Sequence, residues 1–369
     1  MYRCKIFTRL IFLPKVSSHV SGISIRINGR NVTAPPRTTI LDAARKAGIE
    51  IPTLCHHPLL TPAGYCRVCV VEDAASNRLL TACDTRTEPG MDILTDSPRV
   101  LEARRRTVEL ILTNHPETCV ICEKGNACEL RELASSLGLA LTSGSRVGHL
   151  AAIVDANPFI HRDLSKCIGC QICVRACREI QGAEAVEFTG KGISSRPMAA
   201  GGAELSGSAC ELCGLCVSMC PVGALIERPT SHVGVEERSV PVICPYCGVG
   251  CSFYALIRDN QVVGVRAGVP GSVNAMSLCV KGRHGIGFVA SPDRLTVPLV
   301  RQGDDLIEAS WDEALERVAR GLEETIKSRG PDSVGVLASA KATNEENYLI
   351  QKFARAVVGT NNVDHCARL

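Results

Sequence analysis

CIGCQICVRAC, residues 167–177, is followed by a second run of the same design, CELCGLCVSMC, residues 210–220. Cys167, Cys170, Cys173 and Cys177 are separated by two, two and three residues, and so are Cys210, Cys213, Cys216 and Cys220. A pair of cysteines two residues apart supplies two thiolates from one turn, which suits a shared metal centre. A disulfide framework is the competing use of cysteine, but it belongs to short secreted chains. With 369 residues, 21 cysteines and a duplicated ligand spacing, this chain reads as metal-binding.

The spacing is that of bacterial two-cluster ferredoxins, and Pro221 completes the pattern after the second run. In such pairs the fourth cysteine of each run ligates the other run's cluster. Cys167, Cys170, Cys173 and Cys220 are therefore expected to hold one [4Fe–4S] cubane, and Cys210, Cys213, Cys216 and Cys177 its partner. Arg178 stands where the first run would have proline, a departure that cross-ligation tolerates. The glycine- and serine-rich GKGISSRPMAAGGAELSGSA links the two halves.

Three more sets surround this pair. Upstream, ISIRI alternates, Asn28-Gly29 signals a hairpin and Val32 resumes the strand. Thr39 caps a helix over ILDAARKA that Gly48 stops. Cys55, Cys66, Cys69 and Cys83 follow, a donor set for one [2Fe–2S] cluster; the first gap, ten residues, departs from the plant-type spacing. A zinc ribbon is the alternative for this set. Ser97-Pro98 opens a helix through Leu112, with Leu101, Val108, Ile111 and Leu112 on one face, and Arg104-Arg105-Arg106 reads as a solvated face. That helix delivers His115, followed by Cys119, Cys122 and Cys128. Three cysteines leave a four-iron cluster one ligand short, and a neutral His115 imidazole is expected to complete it. Downstream, CPYCGVGC holds Cys244, Cys247 and Cys251, and Cys279 in LCVKGRHG closes the set around a hairpin turning at Asp259-Asn260. Only Cys4 and Cys366 stay outside the five sets.

Five one-electron centres between Cys55 and Cys279 read as a conductor joining two sites that never touch, and reduced thiols point to the cytoplasm. A multi-zinc binding module is the redox-inert alternative. Charge is balanced, 41 basic against 38 acidic residues spread along the chain, which gives no support to a nucleic-acid footprint. The apolar run Leu10–Leu13 is ended by Pro14 and no stretch is long enough for a membrane span. Residues 1–22 read as a tail or a misassigned start.

Beyond the clusters, Ser310 with Glu313 and Thr343 with Glu346 cap two helices, the first closed by Gly330 and the second running through Val358. DSVGVLAS reads as a short buried strand, NNVD as the start of another, and Trp311 as a packing residue under the helix. Strand–helix–strand begins a parallel α/β sheet. The expected fold is α+β and multidomain. Residues 23–100 form a β-grasp [2Fe–2S] ferredoxin domain, 101–145 a His/Cys3 cluster domain and 146–235 a two-cluster [4Fe–4S] ferredoxin domain. Residues 236–296 form a small [4Fe–4S] domain, and 297–369 start a parallel α/β domain, the usual platform for a nucleotide-like ligand.

The order of the five sets, with CPYCGVGC, CVKG and NEENYLIQKFARAVVGTNNVDHCARL, closely resembles the alpha subunit of molybdenum- or tungsten-dependent formate dehydrogenases. The resemblance runs from about residue 23 to the end, and it implies that 236–296 is the [4Fe–4S] domain of a molybdopterin oxidoreductase and 297–369 the start of its molybdopterin-binding domain. It implies formate oxidation to carbon dioxide at a molybdenum or tungsten bis-molybdopterin guanine dinucleotide, with electrons leaving to a flavin- and NAD-binding partner subunit. It also implies that Lys281, in CVKG, lies between cluster and pterin. In that family a cysteine or selenocysteine metal ligand follows a stretch like CARL. The expectation is that Leu369 precedes a selenocysteine codon read as termination, so that this chain holds no catalytic residue itself. The large iron–sulfur subunit of respiratory complex I and the iron-only hydrogenases share parts of the same order; the second four-cysteine run argues against the former and CPYCGVGC against the latter.

Overall fold

The computed structural model describes residues 22–116, 119–141, 157–202, 204–228 and 236–366. Cys4, nearly all of the expected tail, and Leu369 lie outside the described residues. The chain divides into two units, one built on residues up to Ile121, the other on those from Gln171 onward.

In the first unit, strands β1 (Ile23–Ile27) and β2 (Arg30–Ala34) form the expected hairpin, with Asn28 and Gly29 at φ +49° and +76°. Helix α1 (Ile40–Lys46) begins at Thr39, whose hydroxyl accepts from the Asp42 N–H, and Gly48 follows it at φ +72°. Strands β3 (Val70–Asp73), β4 (Arg78–Thr81) and β5 (Asp92–Leu94) complete a five-stranded sheet of order β2-β1-β5-β3-β4, with β1 and β5 parallel. Ile25, Ile27, Ile40, Leu41, Val71 and Ile93 are buried between helix and sheet, the β-grasp arrangement. Helix α2 (Pro98–Thr113) is capped by Ser97, as expected, and α3 (Glu129–Ser136) follows Cys128.

The face that α2 buries includes Val108 and Leu112 as expected, but otherwise differs from the expected one. Val100, Arg104, Val108 and Leu112 are buried, while Leu101 is exposed. Within the arginine run, Arg106 is exposed and paired with Glu102 as a solvated face would have it, but Arg104 is not. Arg104 points inward, because four-residue spacing puts it in line with three aliphatic side chains.

The second unit opens with a pseudo-symmetric body. Its parts are β6 (Ile160–Arg162), α4 (Ile172–Arg175), β7 (Val186–Thr189), β8 (Arg196–Ala199), α5 (Leu215–Ser218) and β9 (Leu225–Glu227). The outer strands β6 and β9 pair antiparallel, as do the inner β7 and β8. Each half is strand, cysteine run, helix, strand, so the duplication is structural as well as sequential. The runs even share backbone conformation: Gly169 and Leu212, and then Gln171 and Gly214, are left-handed at matching places.

A three-stranded antiparallel sheet comes next, β10 (Arg238–Ile243), β11 (Ser252–Arg258) and β12 (Gln261–Arg266), with Asp259 and Asn260 at positive φ in the turn. After the short helix α6 (Val280–His284) come a hairpin that the sequence did not announce, β13 (Leu299–Gln302) with β14 (Asp305–Glu308), and helix α7 (Trp311–Arg329). Then follow β15 (Val336–Ala338), α8 (Asn344–Phe353) and β16 (Val363–His365), with β15 and β16 parallel as expected. Thr343 and Glu346 form the full reciprocal capping box, and α8 continues into a π-helical turn through Val358.

Two expectations fail here. Trp311 is 68% exposed at the start of α7, and Leu337 in β15 is 83% exposed. Capping and periodicity define an element locally, whereas burial requires a second layer, and no described residue covers these faces. Among the described residues no helix is long and apolar enough to cross a membrane.

Asn28 has two tasks in the first unit. It tolerates positive φ, and its amide bonds both the Thr95 hydroxyl at 2.7 Å and the Thr95 N–H at 2.9 Å. Asn28→Ala should lower the stability of that unit by about 2 kcal/mol, two hydrogen bonds at roughly 1 kcal/mol each. Urea unfolding followed by proteolysis within residues 22–116 checks this; an unchanged midpoint would contradict it.

Candidate metal centres

The first four sulfurs form a continuous set. The Cys66 N–H donates to the Cys55 sulfur at 3.4 Å, and thiol contacts join Cys66 to Cys55, Cys55 to Cys83, and Cys83 to Cys69. Bonding to Cys55, then burial, pushes the Cys66 thiol up. Cys83, bonded to Cys55 and then Cys69, is pushed up as well, while Cys69 is held down by the bond it accepts from Cys83. Helix α1 braces this group: its Ile40 and Leu41 N–H groups donate to the carbonyls of Thr85 and Ala82, on either side of Cys83.

His115 is buried two residues beyond α2, and its Nδ1 lies 3.2 Å from the Pro116 carbonyl. A carbonyl only accepts, so Nδ1 carries the proton and Nε2 is the basic nitrogen, the form in which imidazole binds metal. Cys119 and Cys122 lie in the turns that follow and Cys128 at the boundary of α3.

In the duplicated body, Cys177 from the first run lines one cavity with Cys210, Cys213 and Cys216 from the second. The four cysteines thus stand together in the crossed combination. Backbone N–H groups reach two of these sulfurs, from Ala185 to Cys177 at 3.3 Å and from Leu212 to Cys210 at 3.4 Å. Burial pushes the Cys216 and Cys213 thiols up, and charge on their neighbours adds to it. Pairing of β6 with β9 brings the segments flanking Cys167 and Cys220 together, through Asp163 N–H to Ala224 O at 3.0 Å. Burial also raises the Cys220 thiol, against N–H groups of Val222, Leu225 and Ala224 and the charge of Lys124. Cys170 and Cys173 are both buried.

The last set gathers around β11. Cys244 N–H donates to Cys251 O at 2.7 Å, and Cys251 feels, after its own burial, the charges of Cys244, Cys247 and Cys279. Asn274 ties the distant member in: its side chain accepts from Ser252 N–H at 2.8 Å and donates to the carbonyls of Ser252 and Ser277, at 3.1 and 2.8 Å. Lys281 is exposed on α6, two residues after Cys279.

Two glycines mark where neighbouring sets approach one another in the second unit. A Cβ on Gly214, next to Cys213, would stand 3.0 Å from Nε of Arg283, which is buried on α6 and paired with Glu227. His284 stacks on Phe159 with ring centres 4.3 Å apart. A Cβ on Gly223 would stand 2.6 Å from the Cys122 sulfur and 3.4 Å from Lys166, itself paired with Asp163 at 2.9 Å. Neither glycine, nor Asn274, Arg104 or Arg283, carries a sequence signal of function. The exception is the 100–104–108–112 series, which places Arg104 inside.

No disulfide joins any cysteine among the described residues. Sulfur-rich donor sets with peptide N–H groups aimed at sulfur suit iron–sulfur clusters, whose ligands are thiolates tuned by such bonds.

Comparison with known proteins agrees with this order of domains. Residues 21–98 match the 2Fe-2S iron-sulfur cluster binding domain, and 104–140 the NADH-ubiquinone oxidoreductase-G iron-sulfur binding region. Residues 157–226 match the ferredoxin-like domain of NADH-quinone oxidoreductase subunit 3, 237–291 the molybdopterin oxidoreductase Fe4S4 domain and 294–369 molybdopterin oxidoreductase. The chain is similar to the NADPH-Fe(3+) oxidoreductase subunit alpha of Geobacter sulfurreducens, 36% identical over 349 residues, 94% of this chain and 40% of that protein. It is similar to a subunit of an NADH-quinone oxidoreductase from Rhizobium meliloti, 36% identical over 351 residues with the same coverage. A Bacillus subtilis protein named "Putative formate dehydrogenase YrhE" is 33% identical over 393 residues, covering 95% of this chain and 40% of that one. Among solved structures, an NAD+-reducing [NiFe]-hydrogenase chain matches at 30% identity and a TM-score of 0.52, over 56% of this chain and 88% of its own. The chain spans about two fifths of the length of these curated relatives. The ferredoxin-like match covers both cysteine runs, so the second run does not separate this chain from NADH-quinone oxidoreductase subunits.

Proposed function

We propose that this chain, which belongs to the molybdopterin oxidoreductase family with iron–sulfur domains, is the electron-conducting part of a formate dehydrogenase alpha subunit. The observation that carries the conducting role is the cavity where Cys177 joins Cys210, Cys213 and Cys216, since residues from two runs meet there as a cross-ligated pair requires. Cys55, Cys66, Cys69 and Cys83 would hold a [2Fe–2S] cluster. His115, Cys119, Cys122 and Cys128 would hold a four-iron cluster, as would each of the sets Cys167, Cys170, Cys173, Cys220 and Cys177, Cys210, Cys213, Cys216. Cys244, Cys247, Cys251 and Cys279 would hold the fifth. The sets would lie in domains bounded near residues 100, 145, 235 and 296.

Clusters bound in these places supply one-electron exchange. The chain's own residues do the rest. Peptide N–H groups at Cys55, Cys177 and Cys210 stabilise negative sulfur. Gly214 admits the Arg283 side chain and Gly223 the Cys122 sulfur, each at a distance that a Cβ would make too short. The Nδ1 bond of His115 fixes the tautomer that offers Nε2. Lys281, exposed two residues after Cys279, would be the residue between that cluster and a pterin. In a protein of the relatives' length, molybdenum or tungsten on bis-molybdopterin guanine dinucleotide would supply the two-electron exchange with formate. A flavin- and NAD-binding subunit is the proposed acceptor, supported by the NADPH- and NADH-linked names of two relatives, and the cytoplasm the proposed compartment, where thiols stay reduced.

A second reading, an NADH-quinone oxidoreductase subunit, is favoured by the 36% identity to the Rhizobium meliloti protein. Formate separates the two. With the gene carried to the relatives' length and the protein made anaerobically, formate alone should bleach the clusters' visible absorption, and a protein inert to formate but reduced by NADH through a partner subunit would overturn the formate reading. His115→Ala should remove or convert one four-iron signal in low-temperature paramagnetic spectra and leave the others; superimposable spectra would show that His115 is not a ligand.

A further inference from the structure

Arg104 is a buried cation beside the first set of sulfurs. It is 5% exposed, on the face of α2 that also buries Val100, Val108 and Leu112. Its Nε donates to the Val68 carbonyl at 3.1 Å, and its Nη2 to the carbonyls of Val70 at 2.9 Å and Thr95 at 3.1 Å. Val68 and Val70 are the chain neighbours of Cys69, so the guanidinium holds the backbone on both sides of that ligand. Burial lowers the Arg104 pKa, and charge on Cys69, ahead of Asp96, raises it again; a guanidinium keeps its proton throughout. Among the described residues Arg104 makes no hydrogen bond to a carboxylate. Lys166 and Arg283 differ, being paired with Asp163 and Glu227.

Burying an unpaired cation is costly unless an anion faces it. Four thiolates around a [2Fe–2S] cluster supply that anion, and the cluster gains one more negative charge when it takes up an electron. We propose that Arg104 is the positioning residue of this centre, fixing the backbone on both sides of Cys69 through the Val68 and Val70 carbonyls and raising the cluster's reduction potential by its positive charge. This rests on the reading of Cys55, Cys66, Cys69 and Cys83 as the [2Fe–2S] ligands. The same helix ends at Thr113, two residues before His115 and about 13.5 Å along its axis from Arg104 at 1.5 Å per residue. One helix therefore bears on two ligand sets, with Arg104 beside the first and its C-terminal end before His115.

The test is a redox titration of the anaerobically purified full chain, with dithionite as reductant, following the [2Fe–2S] signal in the parent and in Arg104→Gln and Arg104→Lys. The Gln variant should shift the reduction equilibrium against the reduced cluster at least tenfold, about 59 mV for one electron, with the four-iron signals unmoved. The Lys variant, which keeps the charge, should stay within about threefold of the parent, roughly 0.65 kcal/mol. A Gln variant with an intact [2Fe–2S] spectrum and parental potential would overturn the proposal. If that variant does not load the cluster, the Lys variant decides: parental potential supports the role of charge, and a tenfold fall refutes it. A parent without any [2Fe–2S] signal would instead end the reading on which the proposal rests.

Discussion

Sulfur atoms that share a cavity repel one another as thiolates and leave hydrogen-bonding capacity unused as thiols, so a fold that gathers four of them needs a cation among them. That constraint recurs along this chain. At Cys66 and Cys83 contact with Cys55 keeps protons on sulfur, and at Cys216 and Cys244 burial does the same. Iron would replace those protons, and the peptide N–H groups already aimed at Cys55, Cys177 and Cys210 would then face anionic sulfur. The ordinary cores beside the sets, Ile25 to Ile93 in the first unit and Phe253 with Val265 in the second, anchor the loops that carry the sulfurs.

A conductor also needs its centres close together, and in the second unit proximity depends on small residues. Gly214 lets Arg283 lie against the loop of Cys213, and Gly223 lets the Cys122 sulfur lie against the strand that follows Cys220. Arg283 and Lys166 bring charge to these contacts and both carry a carboxylate partner, which limits the field each adds. Among the described residues Arg104 makes no hydrogen bond to a carboxylate, and its donors go to backbone carbonyls around Cys69 and Thr95.

Much of this could be read from local sequence. The turns at Asn28-Gly29 and Asp259-Asn260, and the caps at Thr39, Ser97, Ser310 and Thr343, are governed by neighbours within four residues. The duplicated spacing was enough to foretell the meeting of Cys177 with the second run. What failed depended on residues far apart in the chain. Arg104 hid inside a basic triplet because two of the carbonyls it binds, those of Val68 and Val70, come from more than thirty residues away in the chain. Trp311 and Leu337 look like core residues in any window of sequence, yet no described residue packs over them. Gly214 and Gly223 are unremarkable until the approaching side chain is seen, and the choice between formate and NADH-quinone chemistry is not written in the ligand spacings at all.

The central claim is that nineteen cysteines and His115 hold five iron–sulfur clusters. The most direct test is the iron and acid-labile sulfide content of the chain purified without oxygen. One [2Fe–2S] and four [4Fe–4S] clusters predict about 18 irons and an equal amount of sulfide per chain. A colourless protein carrying zinc and releasing no sulfide would contradict it.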